Sequence, residues 1–251
     1  RTHTIEFDNS YIFGEDFSWA PNSSAIVFVN TSGAVVRYDL ATRQMSWTKR
    51  VFDQYIAGRP SWSPDGTMIA IGHSGAPYVA LLDSASGELI RRLPGTRWTR
   101  AMAWTPDSKE LLVADDSSRL LRWDVATGSM RSMRLPLHPN RQMVVDATGA
   151  TAFVDAGTTG DSNERTTPQL LKIDLEQSAV VGRVPLDGYD FHFTGDRAHL
   201  LLGKDDLKFV RTSDLSVIAT QDLPVLGLGF SIAPDGCNCL LSKDEGGFHF
   251  W

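Results

Sequence analysis

Apolar residues in this chain come in short runs of five or six, separated by turns rich in Pro, Asp, Asn and Gly. No segment sustains the 3.6-residue spacing of an amphipathic helix, so the pattern predicts strands throughout. The clearest runs are residues 25–29, 68–72, 110–114, 151–155, 198–203 and 237–242, where Val, Ile, Phe, Leu and Ala dominate. Several are apolar at nearly every position, as expected of strands covered on both faces.

These runs recur with a period. Phe17-Ser-Trp-Ala-Pro-Asn-Ser, Pro60-Ser-Trp-Ser-Pro-Asp-Gly and Ala103-Trp-Thr-Pro-Asp-Ser each place an apolar strand before a tight turn. Val144-Val-Asp-Ala-Thr-Gly, Phe191-His-Phe-Thr-Gly-Asp and Phe230-Ser-Ile-Ala-Pro-Asp-Gly are weaker copies. Pro fixes φ at the start of the turn, Asp or Asn bonds its own backbone, and Gly accepts a positive φ, so each motif predicts a hairpin. Aligned on Trp19, Trp62, Trp104, Val145, Phe193 and Ile232, the spacings are 43, 42, 41, 48 and 39 residues. That is close to the roughly 40–45 residues of a four-stranded propeller blade. Third strands are expected to end near Asp39, Asp83, Asp124, Asp174, Val210 and Trp251, with fourth strands such as 88–93 and 179–184 after an Ala-Thr-Gly or Ser-Gly turn.

Trp-Ser-Pro-Asp-Gly at 62–66 and Arg-Trp-Asp-Val-Ala-Thr-Gly at 122–128 resemble the WD-repeat and TolB-like propeller families, over nearly the whole chain. Leu-Lys-Ile-Asp-Leu-Glu at 171–176 and Val217-Ile-Ala-Thr are similar to propellers of the YVTN type. The Gly-His pair that WD repeats carry before the first strand is missing. The resemblance leaves only Trp123, with Asp116 in the preceding turn, to hold part of the polar network that such a pair anchors.

The expected fold is therefore all-β: a six-bladed β-propeller of four-stranded antiparallel blades, one domain spanning 1–251. Its repeats fall at about 8–50, 51–94, 95–136, 137–186, 187–223 and 224–251. The sixth lacks a fourth strand, and residues 1–7 stand where a fourth strand precedes each later repeat, so the N-terminal strand is expected to close the ring. An excised part of a larger ring is the alternative. The chain begins at Arg1 without a signal-peptide pattern, which points to processing or to one domain of a longer polypeptide.

Composition narrows the function classes. Net charge is -6 and the pI about 5.5, the opposite of a nucleic-acid-binding surface. No run approaches the roughly 18 apolar residues of a membrane span. The compartment is undetermined, with the cytoplasm slightly favoured over a periplasmic or secreted location. Cys237 and Cys239 are too close in sequence for an unstrained bridge and read as small buried apolar residues.

Candidate chemistry gathers in the loops that precede the first strands. Arg59, Arg97, Arg100 and Arg141 fall on three consecutive repeats, with Trp98 among them and the acidic Asp16 and Asp190 on other repeats. Arginine forks beside an aromatic suit a carboxylate- or phosphate-bearing partner; solvated loop charge is the alternative. The polar insertion 157–168, with Asp161, Asn163 and Arg165, accounts for the 48-residue spacing and is expected on the same face. No Gly-x-Ser-x-Gly elbow, His-Glu-x-x-His or phosphate loop occurs. The histidines are scattered, His192 being the best single ligand candidate, and Asp115-Asp116 and Asp205-Asp206 are expected in turns. The reading is a non-catalytic scaffold that binds an acidic or phosphorylated protein or peptide, without catalytic residues, metal or cofactor. The rival is a metal-dependent lactonase-type hydrolase or a peptidase-associated propeller with a site in the channel.

Overall fold

The computed structural model describes residues 17–30, 33–52, 58–73, 75–157, 168–186, 190–193, 199–203, 206–222, 230–232, 239–242 and 248–250. Within them, every regular element is a strand. The first sheet comprises β1 (Phe17–Trp19), β2 (Ala25–Val29), β3 (Ala34–Asp39) and β4 (Gln44–Arg50). The second comprises β5 (Gly58–Trp62), β6 (Met68–His73), β7 (Tyr78–Asp83) and β8 (Leu89–Pro94). The third comprises β9 (Thr99–Trp104), β10 (Glu110–Asp115), β11 (Arg119–Asp124) and β12 (Met130–Arg134). The fourth comprises β13 (His138–Val145), β14 (Thr151–Gly157), β15 (Gln169–Asp174) and β16 (Ala179–Pro185). The fifth comprises β17 (Asp190–Phe193), β18 (His199–Gly203), β19 (Asp206–Arg211) and β20 (Val217–Asp222). The sixth has three described strands, β21 (Phe230–Ile232), β22 (Cys239–Ser242) and β23 (Phe248–Phe250).

All six anchor residues chosen from the repeat, Trp19 to Ile232, terminate the first strand of their sheet. The expected second and fourth strands agree with the observed ones to within two residues at each end. Residues 1–7, expected to close the ring, lie outside the described residues, as do 158–167 of the insertion.

Of the three sets of turns in the meanders, two share one device. In the turn after the first strand, Asn22, Asp65, Asp107 and Asp146 each accept a bond from a backbone amide of their own turn, at Ser24, Thr67, Lys109 and Ala150. Ser63 and Thr105 add a hydroxyl that bonds both the turn aspartate and the amide opening the second strand. The turn between third and fourth strands repeats the device: Asp39, Asp83, Asp124 and Asp174 each take an amide three residues on. Both turns need one left-handed residue, at Ser23, Gly66, Ser108 and Gly149 in the first set and Arg43, Gly87, Gly128, Ser178 and Leu215 in the second.

The chain divides into two compact units, Arg1–Thr99 with Gly227–Trp251, and Arg100–Leu226. Inside the first unit the first and second sheets share a core of Val27, Val35, Ile69, Ile71, Ala80 and Leu82 under Trp62 and Phe52. Inside the second, Ala101, Leu112 and Leu120 of the third sheet meet Val145, Val154 and Leu171 of the fourth. The fourth and fifth sheets join through Phe153, Leu170, Phe191, Leu200 and Val210. In the first four sheets the second and third strands are thus largely covered on both faces, each such large side chain contributing about 1.5–3 kcal/mol by burial.

Fourth strands are sheet edges and read differently. Met45, Leu89, Met130 and Val217 stand at the first or second place of these strands as exposed apolar residues, paired with Tyr38, Leu82, Trp123 and Val210. In the first, second, fourth and fifth sheets a register shift follows directly. Such bulges twist an edge away from flat pairing with another chain. The third sheet has no shift there, and β12 carries the exposed charges Arg131 and Arg134 instead.

Polar latches tie consecutive sheets. Arg122, two residues before Asp124, donates from Nη1 to the Leu175 carbonyl of the fourth sheet at 3.1 Å. Lys172, at the same place before Asp174, donates to the carbonyls of Thr212 and Ser213 at 3.0 and 2.7 Å. Between the first and second sheets the donor is Trp47, whose Nε1 reaches the Ser84 carbonyl at 3.1 Å. Trp47 lies against Gly87, where a Cβ would stand 2.8 Å from its ring at a φ of 72°.

Gly87→Ala is accordingly expected to cost about 2–3 kcal/mol, combining left-handed strain with a ring contact that cannot relax without losing the latch. Gly66 has a similar φ of 78° but its nearest atom would be 3.9 Å away, so Gly66→Ala should cost only about 1 kcal/mol. Urea unfolding of the two variants checks the difference; equal losses would remove the role of Trp47.

The turn carboxylates also set an acid limit. The Ser86 hydroxyl and amide hold Asp83 below its ordinary value of 3.8. The Thr105 hydroxyl does the same for Asp107, and the Ser216 amide and hydroxyl draw Asp214 down to about 2. A carboxyl that ionises more readily folded than unfolded contributes stability above its unfolded pKa and loses it as pH falls through the folded one. Thermal stability should therefore decline below about pH 4, and the decline should be shallower in Asp83→Asn. Circular dichroism melts between pH 5 and 2.5 measure both slopes.

Candidate functional site

In the second unit, polar side chains converge where the first strands begin. Arg100, on β9, donates from Nε to Asp116 Oδ1 at 2.8 Å, and its Nη2 bonds the same oxygen. His138, which opens β13, approaches Asp116 Oδ1 with Nε2 at 3.1 Å, so that nitrogen carries the proton. Burial works against the charge on Asp116. The Arg100 bond and charge and the His138 ring outweigh it, and the carboxyl sits below its ordinary value.

Next to this group, Asp115 is fully buried at the end of β10 and pairs with Arg119 across the turn. Its Oδ1 also takes the amides of Ser117 and Arg119. A buried carboxylate bound this completely is a fixed strut rather than a reacting group.

β13 carries polar residues at alternate positions, and each makes a different tie. His138 reaches Asp116 of the third sheet. Asn140 donates from Nδ2 to the buried Asp155 at 2.7 Å within its own sheet. Gln142 accepts the Phe191 amide of the fifth sheet at 2.6 Å. Together they bind three sheets at their leading ends. Among the described residues no hydroxyl or thiol bonds His138, whose partner is Asp116.

In the first unit the corresponding segment is the loop before β9. Gly95 turns with a φ of 106° and bonds the Pro77 carbonyl at 2.8 Å. Trp98 follows at a φ of 41° and is 53% exposed. Thr96 and Thr99 flank it, both buried, and neither hydroxyl has a partner among the described residues. An exposed indole on left-handed backbone, set between two buried unsatisfied hydroxyls, is a costly local arrangement.

The arginines expected in loops sit partly elsewhere. First strands start earlier than the apolar pattern indicates, at Gly58, Thr99 and His138, so Arg59, Arg100 and Arg141 are strand residues. Arg97 and Arg141 are exposed and Arg59 is half-buried. Arg100 does not present an open fork, because Asp116 occupies it. Asp16, Asp161, Asn163 and Arg165 lie outside the described residues, and so does the side chain of Asp190, which opens β17. Asp115 and Asp206 belong to strands rather than to the turns expected. Asp116 bonds Arg100 and His138, and no bond joins it to Trp123, contrary to the network implied by the WD resemblance. His192 lies on β17 opposite Leu201. Among the described residues no three His, Cys, Asp or Glu side chains are placed to hold a metal ion, and no helix is long and apolar enough to cross a membrane.

Asn140, Gln142 and His138 were not singled out by sequence. Their signal was a polar residue at every second place along a strand, which marks one face reserved for hydrogen bonding.

The chain matches no family model and no curated protein. Among solved structures it is similar to Kuenenia stuttgartiensis hydrazine synthase, with a TM-score of 0.69 and 15% sequence identity over 94% of this chain and 75% of that one. At that identity the likeness is one of fold. With the repeated four-stranded antiparallel sheets, it makes this chain an all-β, propeller-like protein.

Proposed function

We propose that the chain is a non-catalytic scaffold that binds a protein or peptide through the segments leading into its first strands. The observation that carries this reading is Trp98, held 53% exposed by a left-handed backbone. Strain of this kind costs on the order of 1–3 kcal/mol, and an indole displayed at that cost suits the aromatic anchor of an interface. Arg97 precedes it and Arg141 is exposed at the start of another sheet, which favours an acidic or phosphorylated partner. Arg59, Asp16, Asp190 and the insertion residues Asp161, Asn163 and Arg165 belong to the same reading. The bonds made by Arg100, His138, Asn140 and Gln142 fit a rigid support better than a contact surface, because their polar groups are already matched. In this reading the sheets form six blades of a WD-like or TolB-like ring, closed by residues 1–7 beside β23.

Peptides selected from a random library on the wild-type chain are expected to bind Trp98→Ala at least tenfold more weakly, with a melting temperature unchanged or slightly raised. Retained affinity across the selected peptides would exclude Trp98 as the anchor. For the ring, deletion of residues 1–7 is expected to lower the melting temperature in one cooperative transition, since an unpaired edge would be left. An unchanged melt rules out that closure.

A further inference from the structure

A cleft of about 180 Å³ opens between the first and second sheets, at the end of the sheets where their first turns lie. Pro21, Asn22, Arg37, Trp62, Asp65 and Ala85 wall it. Its volume is about ten times what one water molecule requires.

Arg37 is the anomaly in this cleft. It stands two residues before Asp39, the place held by Arg122 before Asp124 and Lys172 before Asp174. Those two cations donate to backbone carbonyls in the next sheet's turn. In the second sheet the matching carbonyl, that of Ser84, accepts from Trp47 instead. Arg37 is thereby displaced from the latch. Its guanidinium lies 5.8 Å from the centre of the buried Trp62 ring, and its Nε is buried without a hydrogen-bond partner among the described residues. A guanidinium offers only donors, and a buried donor left unmatched is destabilising.

We infer that this cleft binds a carboxylate group, with Arg37 as its fork and Trp62 as the plate behind the guanidinium. A planar carboxylate matches the guanidinium edge in a way that few other anions do. Asn22 stands at the rim with its Oδ1 occupied by the amide and hydroxyl of Ser24, so its Nδ2 is turned to donor work. Asp65 also lines the wall, its Oδ1 held by Ser63 and Thr67. That fixed negative charge discriminates against a compact group holding two charges, such as phosphate, more than against a single carboxylate whose chain keeps any second charge outside the cleft. The site is separate from the Trp98 loop and does not depend on it. The carboxylate belongs either to a small free acid or to an acidic side chain of a peptide.

Calorimetric titration of the full chain at constant ionic strength tests the assignment, with glutarate, a short end-blocked peptide holding one glutamate, and inorganic phosphate as probes. Saturable binding of glutarate or the peptide is expected, stronger than that of phosphate. Arg37→Gln should weaken it at least tenfold and Arg37→Lys at least threefold, while Arg122→Gln leaves it unchanged. Glutarate bound in preference to the peptide identifies a free acid, and the reverse identifies an acidic segment. No saturable binding of either carboxylate, equal affinity in Arg37→Gln, or phosphate bound above both overturns the proposal. Should Arg37→Gln fail to fold, the Nη–H resonances of Arg37 in the wild type decide: a shift that saturates with a carboxylate probe supports the site, and fixed resonances overturn it.

Discussion

Among the described residues, the turns after the first and third strands each hang on a side-chain oxygen that turns back to collect amides of the same turn. Asp83 takes Ala85 and Ser86, Asp124 takes Thr127, and Asp65 takes Thr67. These bonds fix how many residues each reversal consumes, and that number fixes strand register. Register in turn decides which side chains face the neighbouring sheet, because a slip of one residue would exchange the two faces of a strand. The interfaces built on Ile69 and Ile71, or on Val154 and Leu171, are therefore consequences of turn chemistry as much as of apolar composition. Backbone handedness enters at the same place: Gly87 and Gly128 fill the left-handed position freely, whereas Ser178 and Leu215 occupy it under strain.

The strands and turns were legible because their determinants are local. Pro-Asp-Gly and Ala-Thr-Gly announce a reversal within four residues, and an apolar run of five announces a doubly covered strand. Anchors such as Trp104 and Phe193 ended strands as the repeat required. The leading ends of the first strands were not legible. Arg59, Arg100 and Arg141 look like loop residues because apolar patterning stops before the backbone pairing does. The polar network was also hidden, since Arg100 meets Asp116 and Gln142 meets Phe191 across 16 and 49 residues. Spacing along the chain holds no record of such meetings.

The two polar regions differ in how completely their bonds are matched. Around Asp116 and Asp155, donors and acceptors find each other inside the protein, and the result is stiffness at the leading ends of the sheets. Around Arg37 and around Thr96 and Thr99, buried polar atoms are left over. Such remainders mark where the molecule gives up stability, and both occur in the first unit. A repeat protein makes them visible, because equivalent positions in other sheets show what a satisfied version looks like.

The latches have a thermodynamic consequence of their own. Trp47, Arg122 and Lys172 each reach one sheet forward and no further. Within each unit these bonds couple only neighbouring sheets, so each such junction carries its own boundary energy. Sequence drift inside one repeat perturbs its two junctions and leaves distant ones intact. That locality lets the Trp47–Ser84 junction use a different donor from the junctions made by Arg122 and Lys172.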